Sequence, residues 1–145
     1  MVEQSRRERE AGMILETPEQ PKKRRRGQPE MKLQADCFRV AWNDFPITRK
    51  LLFHVENELS FAGDNAIRGA IRRSEGIVKG VSDLILLIPN RRHHGLMIEM
   101  KTPEGYQSSS QKEWQALVEA QGYRYEVIRS VEDFRALLLD YLAQK

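Results

Sequence analysis

The stretch GVSDLILLIPNRRHHGLMIEMK, residues 80–101, contains two apolar segments separated by a short polar connection. The continuous apolar run at residues 84–88 is typical of a strand that is covered on both faces. Residues 95–101 form the second apolar segment, and only the polar residues 90–94 lie between the two. We therefore predict an antiparallel hairpin, with its strands at residues 81–88 and 95–101.

Charged residues lie at the open end of the predicted hairpin, near the start of its first strand and at the end of its second. Side chains alternate along a strand, so Glu99 and Lys101 are expected on one face and Met100 on the other. Asp83 opens the neighbouring strand, which is expected to bring its carboxylate near Glu99. Two adjacent carboxylates repel each other unless a cation lies between them, and Mg²⁺ prefers oxygen ligands. The alternative is a simple strand start beside a surface ion pair worth less than ~1 kcal/mol.

A magnesium ion at this position would activate a water molecule and stabilise charge on a phosphodiester during hydrolysis. Lys101 would orient or deprotonate that water. Gln111 lies on the apolar side of the next predicted helix, near the helix start. It is either a helix-end residue in water or a further polar group of the same site.

Apolar periodicity predicts a first helix that begins at residue 30 and ends at Asp44 and Pro46. Its expected inward positions are Met31, Gln34, Ala35, Phe38, Ala41 and Trp42. Residues 50–56 are predicted as the first strand. A short helix capped by Asp64 follows, with Ala66, Ile67, Ala70 and Ile71 expected inward.

The C-terminal third of the chain predicts a helix, a strand and a second helix. A capping box from Ser110 to Glu113 starts the first helix, and Gly122 ends it. A fourth strand is predicted at residues 123–128. Ser130 caps the last helix, whose apolar stripe is Phe134, Leu137, Leu138 and Tyr141. The order αβ(α)ββαβα predicts an α/β fold, a small mixed sheet flanked by helices on both faces.

Composition indicates one intracellular domain. The chain has 145 residues, 40% of them hydrophobic and 31% charged, which is enough for one core. A single cysteine, Cys37, excludes an internal disulfide and a cysteine-based zinc site. No apolar run is long enough for a membrane span, and the charged first twenty residues lead us to expect no secretory signal. The expected location is the cytoplasm of a bacterial or phage-infected host, or the nucleus if the source is eukaryotic.

The formal charge lies in the N-terminal tail. Residues 1–29 carry eight Lys or Arg and five Asp or Glu, whereas residues 30–145 carry sixteen of each. The tail lacks apolar periodicity and contains prolines, including Pro29, that break helices. We therefore predict a disordered basic tail at 1–29 and a folded domain at 30–145. The tail's run KKRRR at 22–26 either binds a polyanion or is solvated without a partner.

The ordered motifs along the chain resemble those of the VRR-Nuc (virus-type replication-repair nuclease) family, in the PD-(D/E)xK nuclease superfamily. They are FHVxNE at 53–58, EG at 75–76, KGVSDL at 79–84, GLxIExKT at 95–102, QxxW at 111–114 and GY at 122–123. The likeness covers roughly residues 30–142. It implies a restriction-endonuclease-like core in a compact, stand-alone form.

By this resemblance Asp83 and Glu99 are Mg²⁺ ligands, and the backbone carbonyl of Met100 is a further ligand. Lys101 is the catalytic lysine, and Mn²⁺ is expected to replace Mg²⁺. The resemblance implies no organic cofactor.

At two further positions the sequence has the residue typical of the family, and at a third it differs. Glu30 matches a family glutamate near the metal on the first helix, which implies a further metal ligand. Gln111 matches a glutamine beside the active site and is expected to belong to the catalytic set. Ser82 stands where the superfamily usually has proline. Proline supplies no ligand there, so activity is expected to survive this difference.

The resemblance implies a Mg²⁺-dependent DNA endonuclease that acts as a homodimer on branched DNA such as four-way (Holliday) junctions, in replication, repair or recombination. No membrane partner is expected. The basic residues expected to contact DNA are Arg68, Arg72, Arg73, Lys79, Arg91 and Arg92. Three alternatives remain: a repair-accessory module that binds DNA without cutting it, a restriction-type duplex nuclease on the same core, and an RNA-directed nuclease.

Deleting residues 1–29 tests the role of the basic tail. If the tail adds only electrostatic affinity, the truncated protein will show a smaller salt dependence of DNA binding, because fewer counterions are released. Metal-dependent cutting should persist. Binding titrations at several salt concentrations measure the slope, and an unchanged slope contradicts this role.

Overall fold

The computed structural model describes residues 28–56, 70–71 and 73–144. Most of the predicted tail and most of the predicted short helix therefore lie outside the described residues. The described elements are α1 (Gln28–Asp44), a 3-10 turn (Pro46–Thr48), β1 (Leu52–His54), β2 (Leu84–Leu86), β3 (Leu96–Met100), α2 (Ser109–Ala120), β4 (Arg124–Ile128) and α3 (Val131–Ala143). Among these helices, none is long and apolar enough to cross a bilayer.

The four strands form one mixed sheet in the order β1-β2-β3-β4. β2 is antiparallel to both β1 and β3, and β4 is parallel to β3. This arrangement confirms the predicted hairpin and the α/β fold class. Because β2 and β3 run in opposite directions, the start of β2 lies beside the end of β3.

The sheet is not covered evenly by the helices. All five residues of β3 are buried, as expected for a central strand. In β2 only Leu84 and Leu86 are fully buried, and Leu87 just beyond it is 54% exposed. The prediction that both faces of this run are covered is therefore wrong. The helix α2 contacts β4, at the far edge of the sheet, and so leaves one face of β2 partly exposed.

The hydrophobic core lies between the sheet and the pair α1 and α3. All four apolar positions predicted for α3 are buried, and the Ser130 side chain caps the helix by accepting a bond from the N–H of Asp133. Tyr141 is completely buried, and its hydroxyl donates to the carbonyl of Ile88 at 2.7 Å. Fully burying a large apolar side chain contributes ~1.5–3 kcal/mol.

The helix α1 differs from its prediction in its start and in part of its buried face. It begins at Gln28, and Pro29 lies in the first turn, where the missing N–H of proline costs no hydrogen bond. Ala41 is buried as predicted, but Met31 is 68% exposed and Trp42 is also exposed. Cys37 is completely buried, and burial raises the pKa of its thiol to about 12.

The start of α2 also differs from its prediction. Ser108, rather than Ser110, is the N-cap, and it forms a capping box with Gln111 rather than with Glu113. No side chain of α2 is fully buried. In the predicted short helix, Ala70 and Ile71 are exposed rather than inward.

Gly80 joins the chain before β2 to the start of α2. Its φ of +82° is unfavourable for other residues, and a Cβ at this position would overlap the backbone carbonyl of Ser110. Only glycine permits this close approach. This contact holds the segment before β2, including Lys79, against the first turn of α2.

The substitution Gly80→Ala should destabilise the protein more than Gly76→Ala. Gly76 also has a positive φ, +88°, but a Cβ there meets nothing within 4 Å. Gly76→Ala is expected to lower the free energy of unfolding only by the backbone strain, about 1–2 kcal/mol. Gly80→Ala should lower it by the same strain and, in addition, by the cost of the steric overlap. Chemical denaturation measures both, and equal losses would mean that the approach to Ser110 is unimportant.

Candidate active site

Two buried charged residues lie at the C-terminal end of β3. Glu99 is 1% exposed and Lys101 is 2% exposed. They lie on the same side of the strand, with Lys101 Nζ 3.1 Å from Glu99 Oε1. Met100 packs into the hydrophobic core on the opposite side, as strand alternation predicts.

Asp83 is held beside this pair through both its backbone and its side chain. The β2–β3 pairing ends at Leu84 and Ile98, and beyond it the N–H of Met100 donates to Asp83 Oδ2 at 2.7 Å. The N–H of Val55 and the Nδ1 of His54 both donate to the Asp83 carbonyl, at 2.9 and 2.8 Å. The end of β1 therefore holds the backbone of Asp83, and the end of β3 holds its carboxylate.

The first turns of two helices complete the site. Gln111 Nε2 donates to Glu99 Oε1 at 2.5 Å, while Gln111 Oε1 accepts from the N–H of Ser108 at 2.8 Å. One side chain therefore both caps α2 and holds the buried carboxylate. Glu30, in the first turn of α1, places its Oε1 3.9 Å from Lys101 Nζ. The ammonium group consequently contacts two carboxylates.

Two carboxyl groups, those of Asp83 and Glu99, have raised pKa values that favour their neutral forms. Burial, reinforced by the nearby Asp83 carboxylate, raises the pKa of Glu99 to about 7, although Lys101 opposes the shift. Burial likewise raises the pKa of Asp83, with the Met100 N–H acting in the opposite direction. Because the carboxylates of Asp83 and Glu99 repel each other, a cation bound between them would stabilise their charged forms.

The site offers Mg²⁺ two carboxylate side chains, those of Asp83 and Glu99, and not a cluster of three. Within the described ranges, no three His, Cys, Asp or Glu side chains are grouped to hold a metal. Glu99 Oε2 makes only a long 3.5 Å contact with the Tyr125 hydroxyl. Mg²⁺ commonly binds through one or two carboxylates and keeps several waters, so Asp83 and Glu99 suffice chemically.

The structure separates the basic residues predicted to contact DNA. Lys79 is exposed and precedes Gly80 in the chain. Gly80 packs against the first turn of α2, which carries Gln111 of the site. Arg91 and Arg92 are exposed in the connection between β2 and β3, at the end of the hairpin opposite to Asp83 and Glu99. Arg73 is exposed. Arg68 and Arg72 lie outside the described residues.

Several residues at the site were not singled out by the sequence. Tyr125 lies opposite Met97 in the parallel pair, on the same face as Glu99. Only the register between β3 and β4 brings it there, and periodicity alone cannot supply that register. His54 is exposed and bonds to the Asp83 carbonyl. Its place in the FHVxNE motif was the available signal.

The family of the chain follows from comparison with known proteins. The model of the VRR-NUC domain family matches residues 17–132, most of the chain. The chain belongs to the VRR-NUC domain family. This is a nuclease family, and the motif-based resemblance is thereby confirmed.

A solved structure described as "VRR_NUC domain protein" shares the fold, with a TM-score of 0.66 and 21% sequence identity. The match covers 81% of this chain and 91% of that chain. A search of curated proteins gave no match.

The raised pKa of Glu99 predicts a pH dependence of stability in the metal-free protein. The usual pKa is 4.5 and the folded value is about 7, so the folded state binds this proton more tightly. The resulting stability is fully present below about pH 4.5 and is lost as the pH rises through about 7. In EDTA, the free energy of unfolding should therefore fall between pH 5 and pH 8.

The matched variant is Glu99→Gln, which keeps the shape of the side chain but cannot ionise. Its unfolding free energy should change less with pH over this range than that of the wild type. Denaturant titrations at several pH values measure the difference. Equal pH slopes in the two proteins would show that Glu99 does not titrate as described.

Proposed function

We propose that this VRR-NUC protein is a Mg²⁺-dependent endodeoxyribonuclease that hydrolyses phosphodiester bonds in DNA. The observation that carries the proposal is the buried Glu99–Lys101 pair beside the Asp83 carboxylate. These three residues match the Asp…Glu-x-Lys pattern in type, order and position. Family membership supports the nuclease activity, and the oxygen-only donor set supports Mg²⁺.

The proposed roles follow from the contacts of each side chain. Asp83 and Glu99 would hold Mg²⁺ together with the Met100 carbonyl. When bound, the ion supplies stabilisation of negative charge on the phosphodiester and makes a water molecule more acidic. Gln111 holds Glu99 Oε1, which limits rotation of the carboxylate.

Lys101 would orient or deprotonate the attacking water. Glu99 and Glu30 position its ammonium group, because both carboxylates lie within 4 Å of Nζ. Glu30 therefore acts through the lysine in this proposal, rather than as a third ligand. The low exposure of the pair excludes bulk water, which strengthens the electrostatic interactions at the site.

We further propose a homodimer that acts on branched DNA, such as a four-way junction, in replication, repair or recombination. One site cuts one strand, and two sites related by a two-fold axis match the symmetry of a junction. Mn²⁺ is expected to support the same reaction. Lys79, a predicted DNA contact, adjoins Gly80, which lies against the first turn of α2 that carries Gln111.

One observation favours an accessory module that binds DNA without cutting it. Glu99 Oε1 is already satisfied by Lys101 and Gln111, as in a structural ion pair that needs no metal. In that case the buried charges would serve stability alone. The cleavage test below separates the two functions.

Purified protein should cut a labelled four-way junction in Mg²⁺ or Mn²⁺, and not in EDTA. Lys101→Met should reduce the rate by at least ~10²-fold, because proton transfer and water orientation are lost. Lys50→Met is the matched control, since Lys50 is exposed at the far end of the sheet. Circular dichroism shows whether each variant is folded.

Metal binding is measured separately from cutting. Mg²⁺ should raise the melting temperature of the wild type, because a ligand that binds only the folded state stabilises it. Asp83→Asn should remove this rise. Wild-type protein that binds the junction, but neither cuts it nor gains stability with either metal, would establish the accessory module instead. Equal cutting of plain duplex would favour the restriction-type nuclease.

A further inference from the structure

The loop between β3 and α2, residues 101–108, is held from one side by Arg129. The Nη1 of Arg129 donates to the carbonyls of Thr102 and Gly105, at 2.6 and 2.8 Å, and lies 3.3 Å from that of Pro103. The N–H of Gly105 closes a turn onto the Thr102 carbonyl at 3.0 Å. One guanidinium group therefore fixes the first half of the loop.

The second half of the loop is held by Gln107. Its Nε2 donates to Gln115 Oε1 at 2.9 Å and to the Tyr125 hydroxyl at 3.3 Å. The next residue, Ser108, is the N-cap of α2. The two neighbours of residue 106 are thus both anchored, one by a cation and the other by an amide.

Tyr106 lies between these anchors and is 86% exposed, more than any other large hydrophobic residue among those described. It follows the buried Lys101 by five positions and precedes Gln111 by five. The fold therefore presents one aromatic ring to solvent from a fixed loop that connects two active-site residues. The hydrogen bonds of its anchored neighbours reduce the ordering cost of using this ring to bind a ligand.

We propose that Tyr106 is a stacking platform for an unpaired base of the DNA beside the scissile phosphate. The proposal rests on the proposed nuclease function and narrows its substrate. Aromatic rings stack on any base whose face is free, but bases inside a duplex are already stacked on their neighbours. The substrate class is therefore DNA with an unpaired or unstacked base next to the cut, as at a flap, fork or junction.

Two lysines lie at the helix turn that follows the loop, while Glu104 in the loop itself is also exposed. Lys112, in the first turn of α2, is exposed, and Lys79 is held against the same turn through Gly80. Cations in these places would contact the phosphates of the strand whose base lies on Tyr106. Arg129 is a positioning residue in this arrangement, because it acts on the ring only through the loop.

Binding by the full-length protein tests the proposal. A Lys101→Met background prevents cutting, and the probes are a flap with 2-aminopurine as the first unpaired base and a fully paired duplex of equal length. Tyr106→Ala should weaken flap binding by about 5- to 100-fold and abolish the fluorescence change of the probe. It should leave duplex binding unchanged. Tyr106→Phe, which keeps the ring, should behave like the parent.

Leu139→Ala is the matched control, because Leu139 is an exposed apolar residue on α3. It should change binding to neither probe. Arg129→Lys should weaken flap binding when Tyr106 is present and have no further effect in the Tyr106→Ala protein. Additive losses would show that Arg129 does not act through Tyr106.

Three outcomes overturn the proposal: no preference of the parent for the flap, an unchanged flap affinity in Tyr106→Ala, or equal losses on flap and duplex. None of them depends on cutting. If the wild type never cuts, while Tyr106→Ala loses only flap binding, the nuclease function fails and the stacking platform stands.

Discussion

The structure depends on the burial of two opposite charges at the end of its central strand. Neither Glu99 nor Lys101 reaches solvent appreciably. Removing charged groups from water costs several kcal/mol per ion, and this cost is offset only where partners and hydrogen bonds are well placed. Gln111 and Glu30 supply such partners from the first turns of two helices. The packing of both helices is therefore tied to the same ion pair.

The sheet topology explains why these groups meet at one edge. The antiparallel hairpin brings the start of β2 to the end of β3, and the parallel strand β4 ends at the same edge. All three described helices also begin there or close to it. Their N-terminal dipoles favour negative charge, which reduces the cost of gathering acidic side chains at the site.

The sequence predicted features that depend on nearby residues, and it failed where distant packing decides. The alternation of Glu99 and Lys101 and the buried stripe of α3 follow from local periodicity. The exposure of Met31 follows instead from how α1 rotates against the rest of the core. The cap of α2 was ambiguous because Ser108 and Ser110 each precede a glutamine or glutamate by three residues. The position of Tyr125 required the register of a parallel pair, which local patterns do not encode.

The two contacts of Gln111 link the folding of α2 to the candidate active site, which affects how this protein can evolve. Its amide oxygen closes the capping box of α2, and its amide nitrogen holds the buried carboxylate. A substitution at this position is therefore penalised twice, once in helix stability and once at the site. Selection for a stably folded chain alone would preserve part of the active-site arrangement, even in a lineage where selection for cutting has been relaxed.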